Sequence, residues 1–313
     1  MKDSVAVGFN NGIGNFVMFS PALQLIANKI GPVDLFLDVE WEGEGKEAVR
    51  MMANNMPFVR SVIDYEKKRQ LNTYKFKYMS RHGRVDNFFQ AVNVHITDWE
   101  KLPSWAGSLV HEIEFYVYEA SDVLGIVPGI PALYVPYGKV PTHMPKKYVC
   151  FSNSYLRSKD GLWDKKSWPN WAKFTKTFLR YYDDISVVLV GGVDDLEWSE
   201  SIVEIDKDRI SDLVDETDIL ETAAIVRGCE VLISTDTAVM HFADALGVKG
   251  VGIFGPSLVS KSGPWNGKIL PLRSPVKCAA CQGTMVFAKC QEWICMERIK
   301  PEMVMAATRR VLE

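Results

Sequence analysis

The fold is decided by the stretch Val231-Leu-Ile-Ser-Thr-Asp-Thr-Ala-Val-Met-His-Phe-Ala-Asp-Ala-Leu-Gly-Val-Lys-Gly-Val-Gly-Ile-Phe-Gly-Pro256. Its first three residues are apolar without alternation, which is typical of a parallel strand covered on both faces. The polar residues Ser234 to Thr237 favour a helix N-cap. Apolar residues then recur at helical spacing, at Val239, Phe242, Ala243 and Leu246. Gly247 is expected to end this helix, and Val251 to Phe254 to restart the sheet.

The turn between this strand and this helix is a predicted anion site. A helix that begins at the carboxyl end of a parallel strand presents unpaired N–H groups and a positive dipole end, which suit a phosphate. His241 lies four residues after Thr237, about one turn into the helix and near the same end. Two interpretations are open here. One is an N-cap aspartate, Asp236, followed by a structural histidine, and the other is a phosphate-binding turn.

Length and composition indicate a globular protein of two domains. The chain has 313 residues, of which 47% are hydrophobic and 24% charged. Lys and Arg total 36 against 39 Asp and Glu, a net charge of −3, so no general attraction to nucleic acid or anionic membrane is expected. The chain shows neither a signal-peptide core nor an apolar run near the roughly 18 residues of a transmembrane helix. A cytoplasmic protein without a transmembrane segment is therefore predicted.

The stretch resembles the donor-binding segment of glycosyltransferase family 9, which contains the lipopolysaccharide heptosyltransferases. The resemblance rests on the order Asp236, Thr237, His241 and Gly247, followed by a strand that ends in Phe254-Gly-Pro-Ser. In that family the turn holds the pyrophosphate of a nucleotide-sugar. The resemblance implies four donor-binding residues: Asp236, Thr237, Ala238 and His241. Ala238 stands where the family usually has Gly.

Two further segments extend the resemblance in the second half. Lys166-Ser-Trp-Pro resembles a Lys-x-Trp-Pro element whose lysine contacts the donor phosphates. A lysine after the carboxyl end of a strand is well placed to neutralise a pyrophosphate, and its neighbour Lys165 is the alternative. A predicted strand at Ile185 to Gly192 is followed by three carboxylates suited to ribose hydroxyls, between which the sequence does not choose: Asp194, Asp195 and Glu197.

The first loop resembles the acceptor loop of the family, with one departure that falls on the chemistry. It reads Gly12-Ile-Gly-Asn-Phe-Val-Met-Phe-Ser-Pro-Ala-Leu, and Gly14 is expected to contact the acceptor. The family has an aspartate, taken as the general base, where this chain has Asn15. An amide cannot take a proton at neutral pH. Either another N-terminal group, His82 or Asp98, is the base, or the protein binds a nucleotide-sugar without transferring it.

The rest of the first half predicts an acceptor domain. The chain is basic from Glu66 to Arg84, which indicates either a solvated face or, at Arg81 and Arg84, a site for an anionic glycan. A helix is predicted from His111 to the glycine stop at Gly125. Five prolines between Gly125 and Pro145 mark a linker. We therefore expect an acceptor-binding domain at 1–140 and a donor-binding domain at 141–313, whose last helix, by the resemblance, packs back toward the first domain.

Four cysteines cluster near the end of the chain, at Cys278, Cys281, Cys290 and Cys295. Two pairs of thiols in 18 residues suit a tetrahedral zinc site. The gaps after the Cys-x-x-Cys pair are not a common zinc-finger spacing. A structural zinc, reduced packing cysteines and disulfides all remain open. The transfer reaction itself is expected to need no cofactor, because a helix dipole and a lysine stabilise the leaving diphosphate.

The resemblance and the alternating strands and helices predict an α/β protein of the GT-B class, with two Rossmann-like, doubly wound domains facing a central cleft. The predicted function is that of an inverting glycosyltransferase with a nucleotide-sugar donor and a glycan or lipid-linked glycan acceptor. The family points to a heptose, an ADP donor and lipopolysaccharide or other glycan biosynthesis. The alternatives are a non-catalytic nucleotide-sugar-binding protein and a GT-B sugar-nucleotide epimerase.

Overall fold

The computed structural model describes residues 5–9, 11–38, 43–65, 74, 76–79, 110–153 and 163–313. It divides into two compact units, Met1–Pro136 and Tyr137–Glu313. The division falls in the proline-rich segment, within which the sequence places the boundary near residue 140. Between Gly125 and the next strand, the described chain has no helix or strand.

The N-terminal unit is built on a parallel sheet of order β3-β2-β1-β4. Its strands are β1 (Val5–Phe9), β2 (Val33–Asp38), β3 (Val59–Tyr65) and β4 (Phe76–Met79). Its described helices are α1 (Ile13–Ile30), α2 (Glu44–Asn54) and α3 (Glu112–Leu124). All five residues of β1 are buried, as expected for a central strand covered on both faces.

Helix α1 connects the central strand to the rest of the unit through an aromatic core. Phe16 and Phe19 are fully buried and lie against Phe9 of β1, with ring centroids 5.0 and 5.4 Å apart. Phe19 also meets Tyr116 of α3 edge to face at 5.2 Å. This packing fixes the first turn of α1 beside the start of α3, a geometry that matters for the chemistry below.

The C-terminal unit has a second parallel sheet, of order β10-β9-β8-β5-β6-β7. Its strands are β5 (Tyr148–Ser152), β6 (Ser186–Leu189), β7 (Ile210–Asp212), β8 (Leu232–Thr235), β9 (Gly250–Phe254) and β10 (Ile269–Arg273). Its α-helices are α4 (Trp171–Tyr181), α5 (Leu196–Val203), α6 (Ile219–Gly228), α7 (Ala238–Leu246), α8 (Val259–Ser262), α9 (Met285–Lys289), α10 (Ile294–Glu297) and α11 (Pro301–Leu312).

An aromatic cluster fills the core on one face of this second sheet. Trp171 and Phe174 pack on Phe151 of β5, and Trp168 packs on Trp171. All four side chains are at most 2% exposed. Helix α11 packs on α4, β9 and β10 within the same unit. Its predicted return toward the N-terminal domain stays a prediction.

Most elements predicted from the sequence are confirmed, and three short strands were missed. Helix α7 ends at the predicted Gly247, strand β9 follows it as predicted, and α3 ends at the predicted stop at Gly125. Strands β4, β7 and β10 were not predicted. Strand β4 lies inside the basic run from residue 66 to 84 and pairs with β1. The interpretations of that run as a solvated face or a glycan site stay predictions. In the described part of the chain, no helix is both long and apolar enough to cross a membrane.

Candidate active site

The C-terminal sheet changes direction between β5 and β8, which are neighbours in the sheet but lie far apart in the chain. From β5 the sheet grows outward through β6 and β7 on one side and through β8, β9 and β10 on the other. In open parallel sheets, ligands bind beyond the carboxyl ends of the strands at such a switch point. Lys166 follows β5 and Asp236 follows β8, so the predicted donor residues lie at this position.

The N-terminus of helix α7 has features that favour the binding of an anion. Its N-cap is Thr237, whose side chain makes no capping hydrogen bond to the helix. Thr237 and Ala238 are partly exposed, whereas the preceding strand is fully buried. The N–H groups of the first turn therefore point outward from the buried end of β8. The helix ends at Gly247, with a left-handed φ of 69°, as predicted.

A buried ion pair lies beside this helix terminus. Lys166 Nζ is 2.7 Å from Asp236 Oδ2, and their side chains are only 14% and 5% exposed. Burial opposes ionisation of Asp236, yet the charges of Lys166 and His241 and the hydrogen bond from Lys166 outweigh it. The pKa of Asp236 therefore lies below its ordinary value of 3.8. The carboxylate holds the ammonium group of Lys166 at the mouth of the turn.

His241 belongs to the same electrostatic group. Its side chain is 4% exposed, and its charge is among those that lower the pKa of Asp236. Ser234 Oγ lies 3.2 Å from Thr237 Oγ1 and orders the turn from within. The structure thus brings together Lys166, Asp236, Thr237, Ala238 and His241, and their donor-binding role stays a prediction.

Lys166 is held in place by residues that the sequence did not single out. Asn153, at the end of β5, donates from Nδ2 to Ser167 Oγ at 2.8 Å and accepts from the Trp168 N–H at 2.9 Å. The Trp168 indole donates to Ile299 O at 2.9 Å. These bonds fix the 3₁₀ turn Trp163–Lys166 at its carboxyl end. Asn153 gives no signal in the sequence, because its partners lie 14 and 15 residues away.

Lys165 does not exchange roles with Lys166. Its side chain is 6% exposed, its Nζ donates to Phe287 O at 2.8 Å, and it lies 5.1 Å from the centre of the Phe287 ring. Lys165 therefore ties the cysteine-rich segment to the 3₁₀ turn. Of the two neighbouring lysines, Lys166 is the one that meets Asp236.

The structure narrows the choice among the three carboxylates after β6. Asp195 is 1% exposed, and its Oδ2 accepts from the Gly192 N–H at 3.2 Å. A Cβ on Gly191 would lie 2.5 Å from that oxygen, so the glycine is required there for packing. Asp195 thus holds the loop. Asp194 and Glu197 are more exposed and stay the candidates for a ribose contact.

The N-terminal unit contains a polar cluster at the carboxyl end of β1. Asn15, in the first turn of α1, donates from Nδ2 to Glu112 Oε2 at 2.5 Å and lies 3.4 Å from the Tyr116 hydroxyl. Glu112 is 7% exposed and is the first residue of α3. Gly14 lies beside Asn15 in the same turn and is half-buried. No local sequence pattern links Asn15 with Glu112. Four other predicted site residues lie outside the described residues: His82, Asp98, Arg81 and Arg84.

The four clustered cysteines do not assemble the predicted zinc site. All six cysteines are free. In the described parts of the chain, no group of three or more His, Cys, Asp or Glu side chains is arranged to hold a metal ion. The thiols differ in their surroundings, since Cys278 is exposed and Cys281 and Cys290 are half-buried. Burial raises the pKa of the fourth thiol, Cys295, to about 11, which favours the neutral form over a metal-binding thiolate.

Comparison with known proteins identifies the C-terminal unit. Residues 139–291 match the family model described as Glycosyltransferase family 9 (heptosyltransferase). This part of the chain is therefore similar to a family 9 glycosyltransferase domain. This glycosyltransferase is also 26% identical, over 96% of both chains, to lipooligosaccharide heptosyltransferase 2 of Campylobacter jejuni subsp. jejuni serotype O:2. The predicted family resemblance and enzyme class are confirmed.

Solved structures confirm the fold class of the glycosyltransferase. E. coli ADP-heptose LPS heptosyltransferase II matches with a TM-score of 0.73 at 17% identity, over 99% of this chain and 98% of that one. A family 9 glycosyltransferase of Veillonella parvula DSM 2008 matches with a TM-score of 0.76 at 16% identity, over 99% and 97%. At these identities the likeness concerns the fold, and the predicted α/β GT-B class is confirmed.

Proposed function

We propose that this glycosyltransferase moves a heptose, with inversion, from ADP-heptose to a hydroxyl of a lipooligosaccharide-type glycan in the cytoplasm. The observation that carries the proposal is the Lys166–Asp236 ion pair beside the open N-terminus of α7. The choice of ADP-heptose rests on the name of the E. coli structure, an ADP-heptose heptosyltransferase. The choice of acceptor rests on the name of the C. jejuni relative.

The proposed donor site acts mainly on the leaving group. When the bond between the sugar and the diphosphate breaks, negative charge grows on the departing phosphate oxygens. The N–H groups of α7 and the ammonium of Lys166 favour that charge. Because these groups are fixed before the reaction by Asp236, little reorganisation is needed in the transition state. Asp194 or Glu197 would accept hydrogen bonds from the ribose hydroxyls.

The first test of this function is donor binding. Melting temperatures are measured with millimolar ADP-heptose and with UDP-, GDP- and CMP-linked sugars, since a ligand that binds only the folded state stabilises it according to its concentration over its dissociation constant. A shift selective for ADP-heptose is expected. It should be absent in Lys166→Ala, each protein being compared with its own ligand-free form. No shift with any nucleotide would overturn the donor site.

The matched control is Lys173→Ala. Lys173 lies on helix α4 in the same unit and pairs with Glu302 at the surface, where both side chains are 67% exposed. Its loss removes one positive charge without touching the turn, so the ligand-induced shift should equal that of the wild type. Incubation with ADP-heptose in the absence of an acceptor tests the epimerase alternative, because an epimerase would convert the donor sugar without any acceptor.

A second candidate function is favoured by one residue. Asn15 stands where the resembling family has its base, and an amide cannot take a proton. This residue therefore favours a protein that binds a nucleotide-sugar without transferring the sugar. Such a protein would show the ADP-heptose shift but would release no ADP with any truncated lipooligosaccharide. The assay of ADP release, done on the wild-type protein, therefore distinguishes the two functions.

A further inference from the structure

We propose that Glu112 is the general base of the transfer reaction and that Asn15 positions it. This inference rests on the proposed function. It concerns a residue 97 positions from Asn15 in the chain and in direct contact with it in the fold. The contact joins an amide that cannot take a proton to a carboxylate that can.

The location of Glu112 suits an acceptor hydroxyl. Asn15 lies in the first turn of the helix that follows β1. The strand order of the sheet reverses at β1, which lies between β2 and β4. Ligands of parallel α/β sheets bind at such a carboxyl end. Glu112 reaches the same place from the first position of helix α3. Two helix N-termini thus meet there, and both favour a negatively charged carboxylate.

The other buried carboxylates described in this unit are poorly placed. Asp34 is near the amino end of β2 and accepts hydrogen bonds from Arg60, Ser61 and Tyr74 at 2.5 to 2.8 Å. Glu119 lies about two turns further along α3. Asp34 is therefore held as a structural ion, and Glu119 is displaced from the loop. Glu112 is the buried carboxylate that contacts the first turn of α1.

The surroundings of Glu112 hold it in a defined orientation. Tyr116 is fully buried one turn along α3 and is packed edge to face against Phe19 of α1. The Asn15 amide donates to Glu112 Oε2, so this oxygen is the acceptor of that hydrogen bond. A carboxylate has about four acceptor positions, so a hydroxyl can be bound in addition to the amide.

The proposed step is a single displacement. The acceptor hydroxyl donates its proton to the Glu112 carboxylate while its oxygen forms a bond to the anomeric carbon of the heptose. The bond from that carbon to the phosphate oxygen breaks, and ADP leaves with the electron pair. The products are the inverted glycoside, ADP and a protonated Glu112, which returns its proton to water.

The decisive variant is Glu112→Gln, assayed by ADP release with ADP-heptose and lipooligosaccharide from a C. jejuni strain that lacks its heptosyltransferase 2. The glutamine oxygen still accepts from Asn15, so the fold and the melting temperature should be retained. It cannot take a proton, so kcat should fall by about 10²- to 10⁴-fold. The KM for ADP-heptose should stay near the wild-type value. The acid limb of the pH–rate profile, which reports the base, should disappear.

The exchange variant Asn15→Asp with Glu112→Gln distinguishes chemistry from structure. It keeps one amide and one carboxylate in contact and reverses which helix carries the proton acceptor. We expect the exchange variant to be at least tenfold more active than Glu112→Gln. Glu114→Gln is the matched control, because Glu114 lies in the same turn and its capping bond to the His111 N–H is also made by glutamine. It should behave as the wild type.

Three results would overturn the inference. Activity of Glu112→Gln within about threefold of the wild type excludes the base role, since loss of a general base costs far more. An exchange variant as inactive as Glu112→Gln assigns Glu112 a structural role. A wild-type chain that binds ADP-heptose but transfers nothing removes the proposed function, and the base with it. Failure of the proposed function is distinguishable from failure of the base assignment, because it is seen with the wild-type protein before any variant is made.

Discussion

At the scale of single residues, Lys166 and Asp236 are coupled most strongly in the donor site. Because both side chains are nearly buried, removing one partner takes the direct ion pair away from the other charge. We expect Lys166→Ala to lower the free energy of unfolding by about 3 to 5 kcal/mol. The double variant Lys166→Met with Asp236→Asn should recover most of this loss. Urea unfolding measures both, and equal losses in the two proteins would contradict a buried pair.

The same pair sets a pH dependence. Because the pKa of Asp236 is depressed in the folded protein, its contribution to stability is present above the ordinary value of 3.8 and is lost as the pH falls through the folded pKa. Asp236→Asn should therefore be less stable than the wild type at pH 7, and the difference should shrink below about pH 4. Unfolding free energies across this range test it. The exposed Asp183→Asn should track the wild type throughout.

How far residues could be predicted depends on how far apart their partners lie in the sequence. The donor turn was predictable because Asp236, Thr237 and His241 lie within one strand–turn–helix unit, where spacing fixes geometry. Lys166 was found through a second local pattern. The contact between Asn15 and Glu112 depends on how α1 packs on α3, which no local pattern encodes. The sequence analysis named His82 and Asp98 as alternative bases and did not single out Glu112.

At the scale of elements, helix caps separate structural from functional polar residues. Asp218 caps α6 with two hydrogen bonds of 2.8 Å to backbone N–H groups, whereas Thr237 makes no such bond at α7. Asp218→Ala should therefore cost about 1 kcal/mol of stability, and Thr237→Ala less than about 0.5 kcal/mol. Donor affinity should fall only in Thr237→Ala. Urea unfolding and calorimetry measure the two effects, and equal stability losses would contradict the uncapped turn.

The strands show why some elements were predicted and others were not. Strands β1 and β5 are five-residue runs with every residue buried, so the parallel-sheet pattern is complete in each. Strand β7 has three residues, and β10 is mostly half-buried with Pro271 inside it. Both lie at sheet edges, where one neighbour is missing and burial is less demanding. The unpredicted β4 is also an edge strand.

At the scale of the whole molecule, the two units are proposed to divide the reaction. In this proposal, donor binding depends on Lys166 in the C-terminal unit, and proton removal depends on Glu112 in the N-terminal unit. Alternating strands and helices predicted two such units, because each half repeats the same α/β pattern. The net charge of −3 showed no basic excess, but composition gave no information on the chemistry, which we propose for side chains at the strand ends.

This division predicts that the two functions fail independently. Glu112→Gln should bind ADP-heptose with the wild-type dissociation constant while its kcat collapses, because the variant leaves the C-terminal unit unchanged. Lys166→Ala should weaken donor binding, and adding Glu112→Gln to it should weaken binding no further, since mutations at independent sites add. Isothermal titration calorimetry measures the dissociation constant of ADP-heptose for the wild type, the two single variants and the double variant, and so tests both predictions. A change of more than about threefold in donor affinity on replacing Glu112 would mean that the base also orders the donor site, and the assignment of one function to each unit would fail.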